Sequence, residues 1–140
     1  MNFLIGKKDE KIMILGAGIY QVPLILKAKE LGIYTIVVSI PGDYPGFNFA
    51  DKCYFLDTRD FEGILEAASN EKIDGIITTG TDVAVKAIGY VNDKLGLSGI
   101  SYRAAELSTD KALMKDAFVK GGVKSAEYSK VDTIEDALTF

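Results

Sequence analysis

No histidine occurs in these 140 residues, cysteine occurs once, at Cys53, and no apolar run approaches the roughly 18 residues a membrane-spanning helix needs. Each shortage excludes something. Without histidine the chain cannot assemble a Ser-His-Asp or Cys-His nucleophile of its own. With one cysteine and no histidine it lacks the ligands of the usual zinc sites. A lone cysteine forms no internal disulfide and suits a reducing compartment. Cys53 lies in a short apolar stretch, which predicts a buried thiol rather than a reactive one. No block of like charge stands out, and the net charge of −4 argues against a nucleic-acid surface. The opening "MNFLIGKKDEK" has an apolar patch too short for a secretory signal and no small-residue cleavage site behind it. Internal repeats and low-complexity segments are absent. These observations lead to the expectation of a soluble, cytoplasmic protein.

What is present fits an ordinary globular domain: 48% hydrophobic and 26% charged residues, in a length sufficient for a real core. "IMIL" (12–15) is a continuous apolar run closed by Gly16, as expected of a strand buried on both faces. A helix is predicted from about Tyr20, with Pro23 tolerated in its first turn. Leu24, Ile25, Ala28 and Leu31 form its apolar face, and Gly32 is placed to end it. "YTIVVSI" (34–40) reads as a second buried strand and "PGDYPGFNFADKC" as a loop, with its two Pro-Gly pairs. "CYFLD" (53–57) is a third strand. "DFEGILEAASNEK" (60–72) is a helix with Phe61, Ile64, Leu65 and Ala68 on one face. "IDGIITTG" (73–80) is a fourth strand. "DVAVKAIGYVNDKLG" (82–96) is a helix with Asp82 as N-cap and Gly96 as C-cap.

This alternation predicts an α/β fold, a parallel sheet covered by helices through right-handed crossovers. The loops Gly16–Gln21, Ser39–Asp43 and Thr78–Asp82 then share the carboxyl edge of the sheet, where such folds bind ligands. After Gly96 the pattern changes. Residues 101–108 and 109–122 read as two short helices, with Met114 and Phe118 as helix core, and 126–131 as strand-like. A last helix starts at Thr133, whose spacing to Asp136 matches a capping box. That helix has run about two turns when the sequence stops, which suggests a cut inside a longer protein.

The turn Gly16-Ala17-Gly18-Ile19-Tyr20-Gln21 is a partial dinucleotide fingerprint, but Gln21 replaces its third glycine. Ser39 stands where a nicotinamide cofactor would want an acidic residue for the ribose. A NAD(P)-linked oxidoreductase remains an alternative, disfavoured on both counts. A plain strand-to-helix turn is another. A third has the helix start receive an anionic part of a substrate, with Gln21 adding a neutral hydrogen-bonding side chain. "TTGTD" (78–82) supports that third reading, since Thr79, Thr81 and the backbone of Gly80 can ligate a polar small molecule beside the first loop. Tyr20 either lines or blocks the pocket, or is simply an exposed first-turn residue.

Taken in order, "KIMILGAGIYQVPLILKAKELG", "ADKCYFLDTRD", "IDGIITTGTDVAV", "KLGLSGIS" and "AAELSTDKALMKDAFVKGGV" resemble the N-terminal part of ATP-grasp ligases such as biotin carboxylase, the carbamoyl phosphate synthetase large subunit and the purine-synthesis enzymes. The resemblance implies that residues 11–100 form a Rossmann-like pre-ATP-grasp domain that does not bind NAD. It implies that residues 101–140 begin an ATP-grasp α+β domain. It further implies a parent enzyme that uses ATP and Mg2+ to turn a carboxylate or bicarbonate into an acyl phosphate, which an amine or other nucleophile then attacks. Gly16, Gly18 and Gln21 would line the substrate mouth with Thr79, Gly80, Thr81 and Asp82 opposite, and Lys111 would hold ATP. The second lysine, the metal-binding carboxylates and the lid of such enzymes would lie beyond Phe140, so no catalytic or metal-binding residue is assigned within this chain, which is expected to be inactive alone. Partners would be the small-molecule substrate, with no nucleic acid or membrane, and the family allows a homodimer. A non-catalytic metabolite-binding module is the remaining alternative.

Overall fold

A computed structural model describes residues 9–139; most of the signal-free N-terminal stretch, and Phe140, lie outside that range. The unbroken apolar runs become the central strands. β1 (Lys11–Leu15) and β2 (Tyr34–Ser39) pair in parallel, with Met13 opposite Ile36 and Leu15 opposite Val38. β3 (Lys52–Phe55) lies outside β2, and β4 (Gly75–Ile77) lies on the far side of β1. The sheet order is therefore β3-β2-β1-β4, all parallel. Met13, Leu15, Ile36 and Val38 point to one face, where they meet Ile64, Ala67 and Ala68 of α2 (Phe61–Glu71) and Ala87, Ile88 and Val91 of α3 (Val85–Leu95). Ile14 and Val37 point to the other face, against Ile25 of α1 (Val22–Glu30) and Phe47 of a 3-10 turn (Pro45–Asn48). Burial on both faces explains why neither central strand alternates in polarity.

The helix ends follow local chemistry. Gly32 takes the left-handed conformation just past α1 (φ +77°), and Gly96 does the same past α3 (φ +65°). Asp60 caps α2 by accepting the Gly63 amide at 3.1 Å. At the opposite end of α2, Glu71 accepts from the Tyr54 hydroxyl and pairs with Lys52, while Lys11 Nζ donates to its carbonyl at 2.9 Å. The Lys52 and Tyr54 hydrogen bonds hold the Glu71 carboxyl below the usual carboxylate range. α2 is thereby tied to the amino ends of β1 and β3.

α4 (Tyr102–Thr109), capped by Ser101, lies close against α3. Gly89 of α3 makes this approach possible, because a Cβ there would sit 2.8 Å from the Ser101 carbonyl oxygen and from Tyr102 Cα. α5 (Lys111–Lys120) follows, capped by Asp110 through the amides of Ala112 and Leu113, and α6 (Ile134–Thr139) is capped by Thr133 through the Asp136 amide at 3.1 Å.

The structure departs from the sequence reading at six places. α1 begins at Val22, not Tyr20, because Gln21 occupies the cap position and its amide closes a turn onto the Gly18 carbonyl at 3.0 Å. β4 is three residues long, ending before Thr78. α3 begins at Val85, and Asp82 does not cap it: the Val85 amide donates to the backbone carbonyl of Asp82, and Ala84 takes the cap position with no side-chain acceptor. Residues 126–131 are not a strand. Lys115 Nζ donates to the Ala126 carbonyl at 3.1 Å and the Tyr128 hydroxyl to Asp116, so side chains of α5 hold this stretch in place of a ladder. Met114 and Phe118 are half-buried, since α5 buries no residue among those described. Cys53 is also half-buried; burial pushes its thiol upward, toward the inert form.

Candidate functional site

β1 stands between β2 and β4, so the chain leaves β1 toward one side of the sheet and returns to its other side at β4. The loops after these two strands part at that point and leave a crevice at the carboxyl edge. A cavity of about 510 Å³ fills it, lined from all four strand ends: Gly16, Gly18 and Gln21 after β1, Ser39 and Ile40 after β2, Asp57, Thr58 and Arg59 after β3, and Gly80 and Thr81 after β4. Tyr20, Tyr44 and Val83 supply apolar wall.

The edge is stitched by backbone acceptors. The Gly16 amide donates to the Val38 carbonyl at 2.7 Å, and the Thr78 hydroxyl to the Leu15 carbonyl at 2.6 Å. Gln21 is buried, and its side-chain amide donates to the Thr79 carbonyl, bridging the loops after β1 and β4. Its side chain also occupies the space beside the glycine turn: a Cβ on Gly16 would lie 3.0 Å from Gln21 Cδ, and one on Gly18 3.2 Å from Oε1. A dinucleotide fold keeps that space open for the pyrophosphate. Ser39, buried at the end of β2, offers no carboxylate for a ribose. Both features stand against the dinucleotide reading.

Two further contacts shape the mouth. Gly46 of the 3-10 turn donates its amide to the Ala17 carbonyl at 2.8 Å, and a Cβ there would lie 2.7 Å from that oxygen. Tyr20 is 71% exposed, yet its Cβ lies against Gly80, where an added Cβ would meet it at 2.7 Å. The ring therefore stands at the rim, lining the cavity without closing it.

Of the residues expected from the sequence, Gly16, Gly18, Gln21, Gly80 and Thr81 meet in this cavity. Thr79 serves it through its carbonyl, which holds Gln21. Asp82 faces a neighbouring cavity of about 480 Å³ with Arg59, Phe61, Val83, Lys86 and Thr109. Lys111 is exposed at the first position of α5 and lines neither cavity. The sequence reading missed the loop after β3. There Asp57 accepts from the Arg59 amide at 2.9 Å and from its guanidinium, Nε to Oδ1 at 3.1 Å and Nη2 to Oδ2 at 2.7 Å. These bonds from Arg59 hold the Asp57 carboxyl down at about 2. The only signal in the sequence was the position of "DTRD" at a strand end. Among the described residues no group of His, Cys, Asp and Glu is arranged to hold a metal ion.

No protein-family model matches the chain. It is 26% identical over 136 residues to the formate-dependent phosphoribosylglycinamide formyltransferase of Methanocaldococcus jannaschii, an alignment covering 93% of this chain and 34% of that protein. The solved phosphoribosylglycinamide synthetase of Anaerococcus prevotii superposes with a TM-score of 0.81 at 31% identity, over 94% of this chain and 34% of that one. The biotin carboxylase domain dimer of the Hydrogenobacter thermophilus 2-oxoglutarate carboxylase, solved with MgADP, ADP and bicarbonate, shares the fold with a TM-score of 0.71 at 20% identity, over 94% of this chain and 32% of that one. Homologues and structural neighbours alike are ATP-grasp ligases, and the match is to their N-terminal region. The chain spans about a third of the length of these proteins.

Proposed function

We propose that this chain, a relative of the N-terminal region of ATP-grasp ligases, forms the acceptor side of an ATP-dependent carboxylate ligase. The observation that carries the reading is the crevice itself: loops from all four strands converge on one cavity at the switch point of the sheet, and Gln21 and Ser39 make it unsuited to a dinucleotide. Gly16, Gly18, Gln21, Gly80 and Thr81 shape the substrate mouth, Thr79 fixes Gln21, and Asp82 borders the adjoining cavity. The substrate is a small carboxylate or bicarbonate, joined to an amine or other nucleophile. Residues 11–100 serve as the pre-ATP-grasp domain and 101–140 as the opening of the ATP-grasp domain. The protein works in the cytoplasm, as a homodimer.

ATP and Mg2+ are the expected cofactors. The described residues do not by themselves make a site for them: Lys111 stands alone at the start of α5, and no carboxylate cluster suits the metal. The part of the reaction that belongs to this chain is binding and orienting the acceptor. By itself it should release no ADP from ATP. In the intact protein, ADP release should depend on a carboxylate and a nucleophile together. Lys111→Ala should raise the KM for ATP and lower the rate, by about tenfold or more if a charge-assisted phosphate contact is lost. An unchanged KM and rate would remove Lys111 from the nucleotide site.

A further inference from the structure

Among the residues lining the main cavity, Asp57 and Arg59 alone carry charge at neutral pH. Their pairing is lopsided. Both Asp57 oxygens are taken up by the Arg59 backbone amide, Nε and Nη2, while no hydrogen bond of Arg59 Nη1 is present among the described residues. A guanidinium has five N–H donors in a rigid plane. Asp57 fastens one edge of that plane and leaves the Nη1 side free. Arg59 also borders the second cavity, where Lys86 is half-buried. An arginine fixed along one edge loses little freedom when it grips a ligand with the other, which is the physical meaning of a preorganised contact.

We propose that Arg59, held in place by Asp57, is the oxyanion-binding residue of the crevice and grips a carboxylate of the acceptor substrate. The substrate assignment rests on the ligase reading above; the binding of an oxyanion does not. The charge count selects the class of anion. Asp57 and Arg59 sum to zero, so each further negative charge brought into the crevice is uncompensated there; a planar monoanion brings one and can be held by the single free fork of the guanidinium, whereas a dianionic phosphate brings two. Tyr20, Tyr44, Ile40 and Val83 would then flank the remainder of the acceptor, which favours one with an apolar body.

The test uses the intact, uniformly 15N-labelled protein, titrated with sodium acetate or inorganic phosphate at fixed ionic strength made up with sodium chloride. Acetate should move the Arg59 Nε–H resonance and the Gly80 and Thr81 amides along a saturating curve, and phosphate should move them less. Arg59→Lys keeps the charge but loses the fork; it should weaken acetate binding by about tenfold or more, and Arg59→Gln should abolish it. A linear response equal to that of chloride, or a saturating response that survives in Arg59→Gln, overturns the proposal. Tighter binding of phosphate than of acetate overturns the carboxylate assignment. Carboxylate-dependent ADP release separates this from the ligase reading. If the wild type shows it and Arg59→Lys leaves the carboxylate KM unchanged, the role of Arg59 fails and the ligase reading stands. If the wild type shows none with any carboxylate, the ligase reading fails and the acetate titration alone judges Arg59.

Discussion

Gly80 and Tyr20 depend on each other at the mouth of the crevice. Gly80 has φ +68°, a conformation side chains rarely adopt, and it lies directly beneath the Tyr20 Cβ. Gly80→Ala is therefore expected to destabilise the fold by about 1–3 kcal/mol through strain and overlap together. Adding Tyr20→Ala leaves the same collision, because the contact is with Cβ; Tyr20→Gly should recover part of the loss, and urea unfolding of the three variants would measure it. Asp57 gives a prediction in pH. Its carboxyl is lowered from 3.8 to about 2 by the Arg59 hydrogen bonds. A carboxyl with a lowered value in the folded state stabilises it above the ordinary value and ceases to do so as the pH falls through the lowered one. The contribution of the pair should thus be intact above about pH 4 and fade toward pH 2. The side-chain carbon of Asp57 should titrate near 2, and in Arg59→Gln should return toward the ordinary value. A midpoint near 3.8 in the wild type would mean the pair is not formed in solution.

Elements were legible in proportion to how much their own residues determine them. β1 and β2 stood out because a strand covered on both faces is apolar at every position, and α2 stood out because Phe61, Ile64, Leu65 and Ala68 fall on one helical face. The start of α3 was misread because "TDVAV" offers a capping carboxylate, whereas the turn closes through the backbone carbonyl of Asp82. The 126–131 stretch was misread because alternation predicts a strand only where another strand is available to pair with it. The Asp57–Arg59 pair was not legible at all: two charges two residues apart resemble any solvated loop, and only the neighbouring strand ends give them a cavity to face. α3 yields a prediction against propensity. Gly→Ala within a helix ordinarily stabilises by about 1 kcal/mol. Gly89→Ala should instead cost about 1–3 kcal/mol, because its Cβ would overlap backbone at Ser101 and Tyr102, which cannot move aside as a side-chain tip can. A rise in Tm would show that the α3–α4 approach is looser than described.

For the whole molecule, stability is unevenly shared. The buried residues lie between Met13 and Ala105, while α5, α6 and the stretch between them bury none. Segments with few buried contacts open locally at low free energy. Trypsin at low concentration should therefore cut at Lys120, Lys124 and Lys130 well before Lys52, Arg59 or Lys72, as mass spectrometry of early fragments would show. Equal cleavage rates would mean that the segment from α5 onward is held as firmly as the sheet. The same unevenness explains what the sequence revealed of the site. The glycine turn and the hydroxyl-rich loop are local and could be read directly. Their meeting with the loop after β3 required the strand order, which places four distant segments along one edge.

The close seat of α4 on Gly89 bears on where this chain can be divided. A boundary drawn at residue 100 follows the change in sequence pattern, yet Ala105 is fully buried and Ser101 and Tyr102 press directly on the third helix. Severing the polypeptide there would strip that helix of its covering and leave a glycine facing water in mid-helix. A fragment ending at residue 100 should therefore unfold at a lower temperature than one carried through Thr109, whichever domain α4 serves in the longer protein.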